Sequence, residues 1–193
     1  GPRPVKMVKT AVIGIVGSEG AYGRWLRRFF EDRMQLRVLG HDPVSPYSDA
    51  LERLLSEADV LLFAAPIRST EAIIDDCLRR SAGRERGRLW LDITSIKQAP
   101  VAAMLRSQAE VAGLHPMTAP PKAPTLKGKV LVICEARIDV WRDWLSVLFD
   151  ALQAECVRVT PEYHDRAMAL IQAMVHATHL AEAGVLRSHA HHL

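Results

Sequence analysis

Short apolar runs alternate along this chain with longer segments in which apolar side chains recur every three or four positions. The first apolar run covers residues 11–16, and a segment of helical spacing follows at 22–33. Short runs bounded by turn residues are typical of buried strands, whereas spacing of three and four is typical of helices. We therefore expect the chain to begin with a strand, a tight turn and a helix.

The same two patterns continue to about residue 183. They predict strands at 36–42, 58–66, 89–95, 111–115, 130–134 and 155–160, and helices at 48–56, 71–80, 99–108, 141–152 and 161–183. Strands that alternate with helices in this way predict an α/β fold with a doubly wound, mostly parallel sheet. We expect residues 1–160 to form this domain.

Closely spaced glycines interrupt the first strand-to-helix connection. Gly17, Gly20 and Gly23 are placed so that a turn can form, a phosphate can approach bare backbone, and the helix can pack closely on the strand. Ser18 stands where the first glycine of a G-x-G-x-x-G pattern belongs. The stretch predicts a Rossmann-type dinucleotide site, and the alternative is an ordinary glycine-rich connection.

An acidic residue follows the second predicted strand. Asp42 lies about 20 residues beyond the glycine turn, where a carboxylate accepts hydrogen bonds from the adenosine ribose hydroxyls. Its charge would repel a 2′-phosphate, so it favours NAD over NADP. The alternative is a solvated loop acid before Pro43.

The composition and charge of the chain limit the classes of partner that it is expected to bind. The 25 Lys and Arg residues are spread along the chain and the net charge is +3, so nothing indicates nucleic acid or a membrane surface. No apolar run approaches the roughly 18 residues that span a bilayer. The three cysteines lie far apart, which suits reduced thiols in a cytoplasmic protein and leaves no metal-binding spacing. The terminal histidines at 189–192 have no partner acids that would make a metal site.

Polar residues end the fourth and fifth predicted strands. Asp92, Thr94, Ser95 and Lys97 lie at the end of the fourth strand or just beyond it, and His115 ends the fifth. Ligands of open α/β sheets bind beyond the carboxyl ends of the strands, so these residues are site candidates by position. Imidazole suits proton transfer near neutral pH, which singles out His115.

At this point the chain as a whole resembles the prephenate dehydrogenases, especially the dehydrogenase half of the bifunctional chorismate mutase–prephenate dehydrogenases. Beyond the glycine turn, the segments that carry the resemblance are Leu-Asp-Ile-Thr-Ser-Ile-Lys at 91–97, Gly-Leu-His-Pro-Met at 113–117 and Thr-Pro-Glu-Tyr-His-Asp-Arg-Ala-Met at 160–168. The resemblance implies that His115 is the catalytic histidine, that Ser95 contacts it and the substrate, and that His164 lies near the substrate. The residues expected to bind the cofactor are Gly17, Ser18, Gly20, Ala21, Tyr22, Gly23, Asp42, Pro66, Ile67 and Thr94.

The implied reaction is an NAD-dependent oxidative decarboxylation of prephenate to 4-hydroxyphenylpyruvate, with His115 accepting the hydroxyl proton. Its pH profile would show a group titrating near the histidine range. The resemblance also implies a helical domain that begins within residues 161–193, forms a homodimer and is cut short here.

Departures from the family pattern leave the substrate open. Thr118 and Ala119 replace the usual Phe-Gly, and Val175 and Ala177 stand where Arg and Phe are frequent. Relatives that act on 4-amino-4-deoxyprephenate or arogenate share the scaffold. Two further readings are another small-substrate Rossmann reductase, such as an imine or β-hydroxyacid reductase, and a non-catalytic dinucleotide-binding module.

Overall fold

The computed structural model describes residues 10–184, which form a seven-stranded sheet with helices on both faces. The strands are β1 (Ile13–Val16), β2 (Val38–His41), β3 (Val60–Phe63), β4 (Leu89–Asp92), β5 (Glu110–Pro116), β6 (Val130–Arg137) and β7 (Glu155–Arg158). The helices are α1 (Ala21–Arg28), α2 (Leu51–Glu57), α3 (Ile67–Ser81), α4 (Gln98–Leu105), α5 (Arg142–Leu152) and α6 (Pro161–Glu182). The predicted order of strands and helices is confirmed.

The strand order in the sheet is β2-β1-β3-β4-β5-β6-β7. The first five strands pair in parallel, β6 is antiparallel to β5, and β7 is parallel to β6. The predicted mostly parallel α/β sheet is therefore confirmed. The chain passes from β2 on one side of β1 to β3 on the other, and this reversal is where open sheets bind ligands.

Two hydrophobic clusters cover the two faces of the sheet. Ile13 and Ile15 of β1 enter one cluster, while Val16 enters the other. Both faces of the central strands are apolar because helices pack on each, as is typical of parallel sheets. None of the helices within residues 10–184 is long and apolar enough to cross a membrane.

The structure corrects several predicted boundaries, and three of these corrections have a clear local cause. The helix predicted at 22–33 is α-helical only to Arg28 and continues as a π-helical turn (Phe29–Arg33), in which the adjacent side chains of Phe29 and Phe30 are both buried. Helix α3 begins at Ile67, four positions before the predicted start and directly after the N-cap residue Pro66, which disfavours a helical conformation at Ala65. Strand β4 ends at Asp92 because the Thr94 amide and hydroxyl donate to its carboxylate, which closes a turn. The predicted histidine-rich segment at 189–192 lies outside the described residues.

Candidate active site

A backbone cradle lies at the carboxyl end of β1. Gly17 has φ +92°, and a Cβ there would lie 2.7 Å from the backbone nitrogen of Ala65. The Gly17 amide donates to the His41 carbonyl at 2.8 Å, which ties the turn to the end of β2. Only glycine satisfies both the backbone angle and the close approach of the segment after β3.

The other two glycines have different roles. Gly20 is the N-cap of α1, and the atom nearest to a Cβ there would be the Gly17 carbonyl oxygen at 3.5 Å, so the backbone is open to a ligand. At Gly23 a Cβ would lie 2.1 Å from the same oxygen, so a side chain would push the helix off the strand. An open helix N-terminus with unpaired amides suits an anion such as a diphosphate.

Ser18 can stand at the first glycine position of the pattern because Gly40, on the neighbouring strand β2, leaves room for its side chain. Its side chain is 1 % exposed, and a Cβ at Gly40 of β2 would lie 2.7 Å from the Ser18 Cβ. Gly40 thus makes the space that Ser18 fills. The Ser18 hydroxyl is buried and has no hydrogen-bond partner among residues 10–184.

A cavity of about 500 Å³ opens beside the cradle. Asp42 lies at its wall directly after β2, with Oδ2 accepting from the Glu19 amide at 3.0 Å and Oδ1 accepting from the Val44 amide at 3.1 Å. These hydrogen bonds fix the carboxylate beside the glycine turn. Each oxygen retains acceptor capacity, so Asp42 is able to accept from ribose hydroxyls as well.

The predicted cofactor residues divide into two groups. The cavity is lined by Gly17, Gly20, Asp42 and Pro66, whereas its lining does not include Ser18, Ala21, Tyr22, Gly23, Ile67 or Thr94. Tyr22 points away from the cavity, because its hydroxyl donates to the Thr118 carbonyl. Burial raises the pKa of this hydroxyl to about 12. His41 and Ser69 also line the cavity and were not predicted. A bare backbone cradle, an open helix N-terminus and a carboxylate on the cavity wall fit a dinucleotide.

A cluster of histidines lies at the carboxyl end of β5. Nδ1 of His115 is 2.8 Å from Nε2 of His164, and Nδ1 of His164 is 2.7 Å from Oδ1 of Asp165. The two rings are nearly perpendicular, at 81°. Strand β5 supplies His115, and the first turn of α6 supplies the other two residues. Nε2 of His115 has no hydrogen-bond partner among residues 10–184.

The surroundings keep His115 neutral. Burial lowers its pKa from the ordinary 6.5 to about 4, and the nearby His164 and Lys97 add to this effect. A neutral imidazole with a free nitrogen can accept a proton at pH 7. The side chain therefore meets the chemical requirement of a general base.

A buried ion pair supports the strand that carries His115. Nζ of Lys97 lies 2.6 Å from Oδ2 of Asp92 and donates to the Leu114 carbonyl at 2.7 Å, and both charged side chains are fully buried. Burial raises the pKa of Asp92 and lowers that of Lys97, while their mutual attraction opposes both shifts. At Gly113 a Cβ would lie 2.8 Å from Cγ2 of Val101 and 3.1 Å from Oδ1 of Asp92, so a side chain there would crowd both Val101 and the pair. The pair thus fixes the backbone next to His115.

Ser95 differs from expectation. It is exposed in the loop after β4, and its hydroxyl makes no hydrogen bond to His115 or to any other described residue. Asp165 was not predicted, although it stands beside His164 in a segment that the resemblance had already marked. Within residues 10–184 no group of three or more His, Cys, Asp or Glu side chains could hold a metal ion.

Comparisons with known proteins agree with this geometry. No protein-family model matches the chain. It is 26% identical over 192 residues to a probable arogenate/prephenate dehydrogenase of Methanocaldococcus jannaschii, covering 91% of this chain and 42% of that protein. It is 32% identical over 148 residues to the T-protein of Enterobacter agglomerans, covering 69% of this chain and 36% of that protein. The chain thus spans less than half the length of these two relatives.

A solved structure shares the fold. The prephenate dehydrogenase from Aquifex aeolicus, in complex with hydroxyphenyl propionate and NAD⁺, matches with a TM-score of 0.65 and 16% identity, covering 86% of this chain and 70% of that one. At that identity the match supports the fold alone, while the curated relatives supply the likeness in sequence. Taken together, these similarities place the chain in the prephenate dehydrogenase family.

Proposed function

We propose that this chain takes part in the NAD-dependent oxidative decarboxylation of prephenate to 4-hydroxyphenylpyruvate. The observation that carries the proposal is a neutral histidine with a free nitrogen, His115, on the same sheet edge as a glycine cradle. A dehydrogenase needs the cradle to hold its dinucleotide, whereas removal of a hydroxyl proton needs the base. The coexistence of the two favours this reaction over a non-catalytic dinucleotide-binding module.

Gly17, Gly20 and the start of α1 would hold the diphosphate, and Asp42 would hold the adenosine ribose. When bound, NAD⁺ supplies the hydride acceptor. The negative charge of Asp42 disfavours a 2′-phosphate on that ribose, which supports NAD over NADP. The NAD⁺ in the Aquifex aeolicus complex supports the same choice.

His115 would act on the substrate hydroxyl. As the hydrogen on C4 leaves with its electron pair, the hydroxyl proton passes to the imidazole and the C4–O bond gains double-bond character. The ring carboxylate then leaves as CO₂, its bonding electrons enter the ring, and the oxygen regains a proton to give the phenol. A base must lie within hydrogen-bond reach of the hydroxyl and be unprotonated near pH 7.

Two related substrates differ from prephenate in carrying an amino group, one at C4 and the other on the side chain. With 4-amino-4-deoxyprephenate, the nitrogen lone pair stabilises the developing cation, so a strong base is less necessary. Arogenate carries an amino group on the side chain and leaves the C4 chemistry unchanged. The departures at Thr118 and Ala119 lie two and three residues beyond the strand that carries His115, so they are placed to change this preference.

The decisive experiment compares the three substrates on the full-length protein, with NADH formation followed by absorbance. We expect turnover of prephenate with an acid limb in kcat/KM below the ordinary histidine range, because burial lowers the pKa of His115 to about 4. Turnover of the amino-substituted substrate alone would reassign the substrate. Dinucleotide binding without turnover of any of the three would favour the non-catalytic module.

The proposal extends to assembly. Helix α6 exposes Leu170 at 62 %, Met174 at 60 % and Val175 at 48 %, which leaves a continuous apolar stripe. Such a stripe favours burial against a second helical surface. We propose that residues 161–193 begin a helical domain through which two copies form a homodimer. Light scattering of full-length protein at micromolar concentration tests this, and a monodisperse monomer would contradict it.

A further inference from the structure

We propose that Asp165 acts through His164 as a positioning residue: it fixes the single ring proton of His115 on Nδ1 and leaves Nε2 as the basic atom. The catalytic meaning of this inference rests on the proposed function. The proton arrangement itself is a property of the protein without substrate, so it can be tested separately.

The arrangement begins at the start of α4. Oδ1 of Asp165 accepts from the Lys97 amide at 2.8 Å, and Oδ2 accepts from the Gln98 amide at 3.0 Å. Burial alone would raise the pKa of Asp165, but hydrogen bonds from Gln98, His164 and Lys97 lower it below its ordinary value. Backbone amides at a helix N-terminus favour a negative charge. The carboxylate is therefore ionised and can only accept hydrogen bonds.

An ionised carboxylate determines the state of the next ring. Oδ1 of Asp165 is 2.7 Å from Nδ1 of His164, so this nitrogen must carry a proton. A neutral imidazole has one N–H, and its other nitrogen is an acceptor. Nε2 of His164 is therefore left with a lone pair that faces His115.

The lone pair on Nε2 of His164 in turn determines the state of the His115 ring. Nδ1 of His115 is 2.8 Å from Nε2 of His164, and two lone pairs at that distance would repel, so Nδ1 of His115 carries the proton. Lys97, His164 and Asp165 are the charged or titratable groups that act on this ring. Burial, His164 and Lys97 lower its pKa and keep it neutral, and they outweigh the opposite effect of Asp165. Nε2 of His115 is then unprotonated, as a general base requires.

The test is nitrogen NMR of the whole chain with ¹⁵N-labelled histidine, at mildly alkaline pH where imidazoles are neutral. The His115 signals are assigned by their loss in His115→Gln. We expect the wild type to show the His115 proton on Nδ1 and a bare Nε2. A wild-type His115 that carries its proton on Nε2 overturns the inference without any variant.

Two variants locate the cause. Asp165→Ala and His164→Phe should both release the His115 proton from Nδ1, and His164→Phe does so while Asp165 keeps its bonds to the start of α4. Glu162→Ala removes an exposed carboxylate from the same turn of α6 and should leave the His115 signals unchanged. If Asp165→Ala lowers the melting temperature but leaves the proton on Nδ1, Asp165 is only a helix cap and the inference is wrong.

Kinetics separate the two proposals. Asp165→Ala should lower kcat on prephenate about 10²-fold, the lower end for loss of a general base, with the dissociation constant of NAD⁺ unchanged. The expected NMR pattern without turnover of any substrate would reject the proposed function and keep this inference. Turnover with the opposite tautomer in the wild type would do the reverse.

Discussion

The glycine cradle and the histidine cluster lie at the carboxyl ends of strands in one sheet, but they are built from different parts of the chain. The cradle is backbone: Gly17, Gly20 and Gly23 come from one short stretch, and its outer wall is the segment directly after β3. The cluster is made of side chains from β5 and α6, and the ion pair between Asp92 of β4 and Lys97 at the start of α4 supports it. One half depends on the absence of side chains, and the other on their exact placement.

Because of this difference, substitutions in the two regions should affect different properties of the protein. A change in the cradle should weaken dinucleotide binding and the packing of α1 on β1, and leave the state of His115 intact. A change in the cluster should slow chemistry and leave dinucleotide binding intact. Substitutions in each region test that separation.

The largest effect is expected from His115→Gln. Loss of a general base lowers kcat by about 10² to 10⁴, while the dissociation constant of NAD⁺ should stay within a factor of about two, because His115 is not among the residues that line the cavity. Steady-state kinetics and a binding titration give the two numbers. His176→Gln, an exposed histidine on α6, is the matched control. Near-wild-type turnover of prephenate by His115→Gln would remove His115 from its role.

The sequence predicted the two regions unequally. Local patterns were enough for the cradle, since the turn, the strand before it and Asp42 follow one another within about thirty positions, as in other dinucleotide folds. The cluster depends on contacts such as Lys97 to Asp165, which are 68 positions apart. The hydrophobic periodicity of a sequence cannot indicate a contact between residues so far apart. Ser95 is the opposite case: a motif predicted its contact with His115, but its hydroxyl makes no hydrogen bond to that residue in the structure.

The departures from the family pattern illustrate the same limit. From the sequence, Tyr22 on a helix was expected to bind the cofactor, and Thr118 in a loop departs from the family pattern. In the structure the Tyr22 hydroxyl donates to the Thr118 carbonyl across 96 positions of sequence, and the neighbouring Trp25 donates to the Ala123 carbonyl at 3.1 Å. Helix α1 therefore holds the proline-rich loop that follows β5. Residue identity marked these positions, but only the fold shows that they act together.

The next effect concerns the cradle. Gly17→Ala should cost about 1–2 kcal/mol for the left-handed backbone and about 1–3 kcal/mol more for the clash with Ala65. Gly128→Ala is the matched control, because Gly128 has φ +79° and nothing within 4 Å of a built Cβ. Urea unfolding gives the difference between the two variants, and the dissociation constant of NAD⁺ should rise in Gly17→Ala alone. Equal losses would show that backbone angle matters here and close approach does not.

A smaller effect is expected from Asp42→Asn. Removing a negative charge near the adenosine ribose should reduce the preference for NAD⁺ over NADP⁺ by roughly tenfold, about 1.4 kcal/mol, as expected for charges several ångströms apart at an effective dielectric of about 20. Asparagine keeps an acceptor oxygen for the Glu19 or Val44 amide. Asp143→Asn, on the exposed face of α5, is the control. Equal or tighter binding of NADP⁺ by the wild type would take this role from Asp42.

The smallest effect is a pH dependence of stability that belongs to the cluster. Burial lowers the pKa of His115 from 6.5 to about 4 in the folded chain, so between these values the unfolded chain binds a proton that the folded chain does not. Stability rises with pH wherever the unfolded state binds more protons. The free energy of unfolding should therefore fall as the pH drops from 6.5 towards 4.

Because carboxylates titrate in the same range, the measurement is the difference between wild type and His115→Gln. The full shift corresponds to about 3 kcal/mol, and solvent screening of a partly exposed ring reduces this to about 1 kcal/mol. The wild type should lose that much more stability than the variant over this interval, by urea unfolding at several pH values. In Gly17→Ala the same pH-dependent difference should persist, since the cradle leaves the surroundings of His115 unchanged. If the pH-dependent loss were instead smaller in Gly17→Ala than in the wild type, the two halves of the site would be coupled, and the separation drawn between backbone and side chains would not hold.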